Sequence, residues 1–68
     1  MEWELGKIPE KPGWYAVLLC YDEREGAFPG AAYFDGLGWS NKHVVACGDM
    51  CDTKREAETL AYENDPYW

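Results

Sequence analysis

Apolar and polar positions change period along the chain, and the changes mark out its elements. Trp14-Tyr15-Ala16-Val17-Leu18-Leu19-Cys20-Tyr21 is an unbroken run of eight residues, which at this length reads as a central strand apolar on both faces. The polar stretch Asp22-Glu23-Arg24-Glu25-Gly26 follows, and Pro29-Gly30 closes it. A second strand is therefore expected over 30–35, returning from a long acidic hairpin loop. Asp35-Gly36-Leu37-Gly38 places two glycines two apart, a tight turn in which positive φ is easy, and Trp39 begins another short extended piece. Val44, Val45 and Ala46 predict a third main strand over 43–47.

After Thr53 the period becomes helical. Thr53 and Glu56 have the spacing of a capping box, Asp52 adds negative charge where the helix dipole favours it, and Pro66 limits the far end. Ala57, Leu60 and Ala61 stand at i, i+3 and i+4, a narrow apolar stripe for packing on the sheet. The N-terminal part is less regular. Trp3 and Leu5 alternate with Glu2 and Glu4, as a short strand or a tail with two apolar anchors would, and 7–13 carries two prolines and a glycine, an extended or turning lead-in. The expected fold class is α+β: a small antiparallel three-stranded sheet (14–21, 30–35, 43–47) followed by one C-terminal helix near 53–63, packed on one face. Cross-strand aromatics such as Tyr15, Tyr33 and Trp39 suit so small a sheet. With no repeat and no linker, 1–68 reads as a single compact domain.

Composition narrows the function. Thirteen Asp and Glu against six Lys and Arg give a net charge of -7, so direct binding to a nucleic-acid backbone is not expected. A hydrophobic fraction of 47% with 16% aromatic residues is too apolar for a disordered acidic tail. A chain of 68 residues buries only roughly 60% of its unfolded surface, which leaves little room for a deep catalytic cleft. A binding or inhibitory module is expected rather than an enzyme. The apolar run is far shorter than the roughly 20 residues of a membrane helix, and no basic segment with an apolar core follows Met1. The expectation is a cytoplasmic monomer without membrane contact, its three cysteines being an odd set that suits reduced thiols.

His43, Cys47 and Cys51, with Cys20 from a neighbouring strand, have the composition of a zinc set. Their spacing does not match, since His43 and Cys47 on one strand would lie about 13 Å apart at ~3.3 Å per residue. The same separation forbids a thiol–imidazole pair between them, which must come within ~3 Å, and Cys20 could approach His43 only in the right strand register. The expected cysteines are free and metal-free: Cys20 and Cys47 as buried small apolar residues, and Cys51 in a loop, made the most reactive by the helix start. No cofactor is expected. Gly36-Leu37-Gly38 lacks the third glycine and the helix of a phosphate loop. Tyr67 and Trp68, beyond Pro66, either fold back over a sheet edge or serve as exposed anchors.

Acidic placement is the most informative feature. On a helical wheel Asp52, Glu56, Thr59 and Glu63 fall within about 60° of each other, on a flank of the apolar stripe. Asp49 and Asp65 extend this ridge at its ends. Lys54 and Arg55 fall on the opposite flank, where Glu58 can compensate them. Asp52 and Glu56 are about 6 Å apart along the axis and Glu56 and Glu63 about 10 Å, at ~1.5 Å rise, of the order of phosphate separations. Asp22, Glu23 and Glu25 supply a second cluster. A solvated face that keeps a small protein soluble is the plainer reading of the same residues.

Pro9-x-x-Pro-Gly-Trp-Tyr, an acidic loop, and Ala32-Tyr33-Phe34-Asp35-Gly36-x-x-Trp39 resemble small proteins of phages and mobile elements that open with a P-G-W-Y strand and continue into a Y-F-D-G-x-W hairpin. The ending, from Cys51-Asp52-Thr53-Lys54-Arg55-Glu56-Ala57-Glu58 to Asn64-Asp65-Pro66, is similar to one found in some of them. The chain also resembles short acidic anti-CRISPR proteins directed at type I-C effector complexes. That resemblance implies an inhibitor occupying a basic DNA-binding channel; the charge placement read from the residues supplies Asp22, Glu23, Glu25, Asp49, Asp52, Glu56, Glu63 and Asp65 as the expected partner-binding set. It carries over no catalytic residue. The alternative is a small phage structural or accessory protein acting by protein–protein contact, its acidity serving only solubility.

Overall fold

The computed structural model describes residues 1–66. Four strands, β1 (Glu4–Leu5), β2 (Gly13–Asp22), β3 (Gly26–Phe34) and β4 (Val44–Cys51), precede one helix, α1 (Lys54–Glu63). The sheet has the order β1-β4-β2-β3 with every pair antiparallel. The α+β class, the central apolar strand and the terminal helix follow the sequence reading, and the pair of residues 4–5 adds a fourth strand. Tyr67 and Trp68 lie outside the described residues.

The two long strands beside β2 run past their expected bounds, β3 at its start and β4 at its end. The loop between β2 and β3 is short: the Glu25 N–H donates to the Asp22 carbonyl, closing a turn, and Gly26 follows at φ +80. That is a tight turn with glycine in the left-handed region, the usual way to join two strands through three residues. The strand then starts at Gly26 and runs through Pro29, where a start at Gly30 is expected from the sequence. β3 is an edge strand, and the N–H and carbonyl of Tyr33 face outward, to Ser40 Oγ (3.0 Å) and the Ser40 N–H (2.8 Å). By the alternation of the strand Pro29 faces outward too, so its missing N–H removes no ladder bond. β4 runs on through Gly48 to Cys51, so Cys51 ends a strand and is not a loop residue.

The faces of β2 are covered differently. Tyr15 and Val17 pack with Ala32, Phe34 and Cys47, and Trp39 closes over them, its ring edge-on to Tyr15 (5.5 Å) and Phe34 (5.3 Å). Asp35 prepares that closure by accepting from the Leu37 and Gly38 N–H groups at 2.8 Å each, which holds its carboxyl below the usual range. Ala16, Leu18 and Ala46 point the other way and are buried under α1, which presents the fully buried Ala57 and Ala61. Small residues on both sides let the helix approach the sheet closely. Thr53 caps the helix, its Oγ1 accepting from the Glu56 N–H at 3.1 Å. At the far end the Asn64 side chain donates to the Leu60 carbonyl, and Trp3 Nε1 donates to the Asn64 carbonyl at 2.7 Å. The helix end is thereby tied to the segment ahead of β1, and among the described residues no helix is long and apolar enough to cross a membrane.

Candidate interaction site around the helix start

β4 pairs Cys47 with Val17 and Cys51 with Trp14, and between these pairs it carries one residue more than β2. In a regular strand residues four apart share a face. The extra residue here turns Cys47 towards the Tyr15–Phe34 core and Cys51 towards the helix. His43 is elsewhere, with its ring 4.4 Å from that of Tyr21 and its backbone N–H on Asn41 Oδ1. Register does bring Cys20 beside His43, but through the backbone, the Cys20 N–H donating to the His43 carbonyl at 2.9 Å. Among the described residues no three potential metal ligands gather. All three cysteines are free thiols: Cys47 is buried, and Cys20, expected to be buried, is half-exposed, like Cys51.

Cys51 is the floor of the acidic end. Asp49 from the strand, Asp52 from the connection and Glu56 from the first turn of α1 surround it, and burial first and these carboxylates second push its thiol upward. The Cys51 thiol donates to the Asp49 carbonyl at 3.9 Å. The pKa lowering expected for Cys51 at the helix start is not the net effect: the dipole of a short helix acts against desolvation and three negative charges. Beside Cys51 lies an open groove of about 510 Å³, bounded by Thr53, Arg55, Glu56, Thr59, Leu60 and Glu63. Asp49, Asp52, Glu56 and Glu63 are all exposed. Of the expected ridge, then, Asp49, Asp52 and Glu56 lie about the helix start, and Glu63, at the last turn of α1, lines the far side of the same groove. Asp65 lies half-buried beyond the helix, its N–H 3.4 Å from the Tyr62 carbonyl.

Arg55 departs from its expected place, since it borders the same groove as Glu56 and Glu63. On the wheel it is only about 40° from Thr59, one side of the ridge. Neither Lys54 nor Arg55 forms an ion pair with Glu58 among the described residues; the pair formed there joins Lys7 Nζ to Glu4 at 2.6 Å.

The second acidic cluster sits at the opposite end of the sheet. Asp22 is eight residues along β2 from Trp14, the partner of Cys51, a distance of about 26 Å at ~3.3 Å per residue. There Asp22 Oδ1 accepts from the Arg24 N–H at 2.9 Å, so this carboxylate serves its own turn. Glu23 and Glu25 are exposed. A third feature, a depression of about 350 Å³ between 7–11 and β4, has Cys47 and Tyr15 in its walls. The Tyr15 hydroxyl donates to the Lys11 carbonyl at 2.7 Å, pinning the proline-containing segment down, and burial raises both the Tyr15 and the Cys47 pKa.

No family model, no curated protein and no solved structure matches this chain.

Proposed function

We propose that this chain is an acidic, nucleic-acid-mimicking inhibitor, anti-CRISPR-like, that occupies the basic DNA-binding channel of a host effector complex and blocks target DNA. The observation that carries the reading is that Glu56 and Glu63 border one groove with Cys51, while the exposed Asp49 and Asp52 flank Cys51 along the chain. These carboxylates are exposed, lie off the buried Ala57 and Ala61 stripe, and come from three successive elements. The hairpin acids, at the other end of the sheet, give a second negative contact along a channel. The net charge of -7 supplies the long-range attraction to a basic surface and opposes direct contact with nucleic acid. The chain acts as a monomer in the bacterial cytoplasm, without cofactor, reaction or membrane.

The test is competition. A purified type I-C effector complex is mixed with labelled target duplex and increasing amounts of the chain, at several salt concentrations. Displacement of duplex that weakens steeply with salt is the expected result. Duplex retained at saturating chain, at low salt, overturns the reading for this effector. The second reading, an accessory phage protein working by protein–protein contact, draws on the exposed Leu5, Ile8 and Leu37, at 82%, 74% and 96% of full exposure. Binding to a structural phage component that is indifferent to salt is its signature.

A further inference from the structure

The groove beside Cys51 has a chemistry that charge alone does not need. Its two half-buried lining residues, Cys51 and Leu60, make an apolar floor, and the exposed Arg55, Glu56 and Glu63 stand about it. Helical geometry explains the arrangement. Leu60 falls between the buried Ala57 and the exposed Glu56, at about 80° on a wheel where these lie at about 140° and 40°, so the flank of the helix grades from core to carboxylate across one groove. A surface evolved only to present negative charge has no use for such a floor.

We propose that this groove receives a long cationic side chain, arginine or lysine, from a basic protein partner. Its methylene stem lies on Leu60 and Cys51, and its charged head stands between Glu56 and Glu63. The proposal rests on the inhibitor reading above and adds the mode of contact. Arginine and lysine bury their stems on apolar surface while the head stays with water or counter-charge, and a volume of about 510 Å³ has room for such a chain. Charge complementarity selects the occupant. A second copy of a chain with net charge -7 is repelled, as are nucleic acid and an anionic membrane surface. The acids around Cys51 belong to β4, to the connection and to α1, so the negative field enters the groove from more than one side. Arg55, on the outer rim, is the one opposing charge among the groove residues. An incoming cation is therefore guided to the Glu56 and Glu63 side.

The experiment uses the whole chain and a hexa-arginine peptide as probe. In the wild type, nuclear Overhauser contacts between the probe's side-chain methylenes and the Leu60 methyls are expected. Thr59→Trp fills the groove at an exposed helix position without changing any charge, and should weaken hexa-arginine binding about ten-fold, the factor that ~1.4 kcal/mol represents. Far-UV circular dichroism and the melting temperature of that variant check that it folds. The paired neutralisation Glu56→Gln with Glu63→Gln tests the charge reading separately and should weaken binding at least as much. Unchanged affinity in Thr59→Trp, or absence of contacts to the Leu60 methyls in the wild type, overturns the groove proposal and leaves the charge reading standing. If the double neutralisation also binds as the wild type does, the charge reading falls as well.

Discussion

The two acidic ends of the sheet are made from the same residue types and do different work. At the β2–β3 turn the chain uses Asp22 to hold its own backbone, accepting from the Arg24 N–H, and places Arg24 between Glu23 and Glu25. At the helix start Asp49, Asp52 and Glu56 converge on a thiol whose ionisation they oppose, and Glu63 continues them along a groove. The first end serves mainly to make a turn. The second keeps like charges close together around an apolar floor, an arrangement that folding does not require. Acidic residues are thus informative about function where their carboxylates have no local backbone task.

The strongest way to break this comparison is to reverse charge at each end. Asp52→Lys with Glu56→Lys and Glu63→Lys should abolish binding to a basic effector, because a close charge pair couples by ~1.5 to 7 kcal/mol. Reversing Glu23 and Glu25 to Lys should weaken it measurably less. Equal losses in a titration of both variants would make the two ends equivalent. The next effect concerns folding. Gly26→Ala forces a side chain into a left-handed position (φ +80) and should destabilise by roughly 1 to 2 kcal/mol in urea unfolding. Thr53→Ala, which removes the helix cap, should cost about 1 kcal/mol in the same measurement.

A smaller effect follows from ionisation. The Cys47 and Cys51 thiols are raised in the folded chain, so folding favours their neutral forms. The stability they contribute is complete below the ordinary thiol pKa and is lost as pH rises through the raised values. The melting temperature should therefore fall in that alkaline window, and the fall should be shallower in Cys51→Ala. The smallest effect is kinetic. Removing one of the negative neighbours of Cys51, as in Glu56→Gln, should speed alkylation of Cys51 at fixed pH, as read by mass spectrometry of the labelled peptide. An unchanged rate would separate Glu56 from the thiol.

Much of the fold was legible in the residues. The apolar run 14–21, the alternation broken by Asp35-Gly36, and the Thr53 cap with its alanine stripe each carry their own geometry. Pro29 misled because proline breaks a strand only where its N–H is needed, and the position of β3 at the edge is a tertiary fact. The end of β4 was hidden by Gly48 and Asp49, which read as a loop when the sheet in fact tolerates them as a bulge. The acidic groove was half legible. Wheel angles place Glu56 and Glu63 together, but they do not reveal that a strand residue, Cys51, completes the floor. Nor does spacing reveal that Cys47 and Cys51 face opposite ways, because a single extra residue inverts the alternation.

The outward-facing Pro29 also affects how the molecule behaves in a crowd. An uncharged edge of nine residues, Gly26 to Phe34, is the kind of surface on which a foreign strand can template itself and grow into a fibril. Here the Ser40 return occupies Tyr33, and Pro29 offers a carbonyl without a donor, so any copying strand meets an occupied position and then a missing rung. An edge interrupted in this way resists zipping into stacks. Crowding alone therefore does not turn this edge into a template for further copies of the chain.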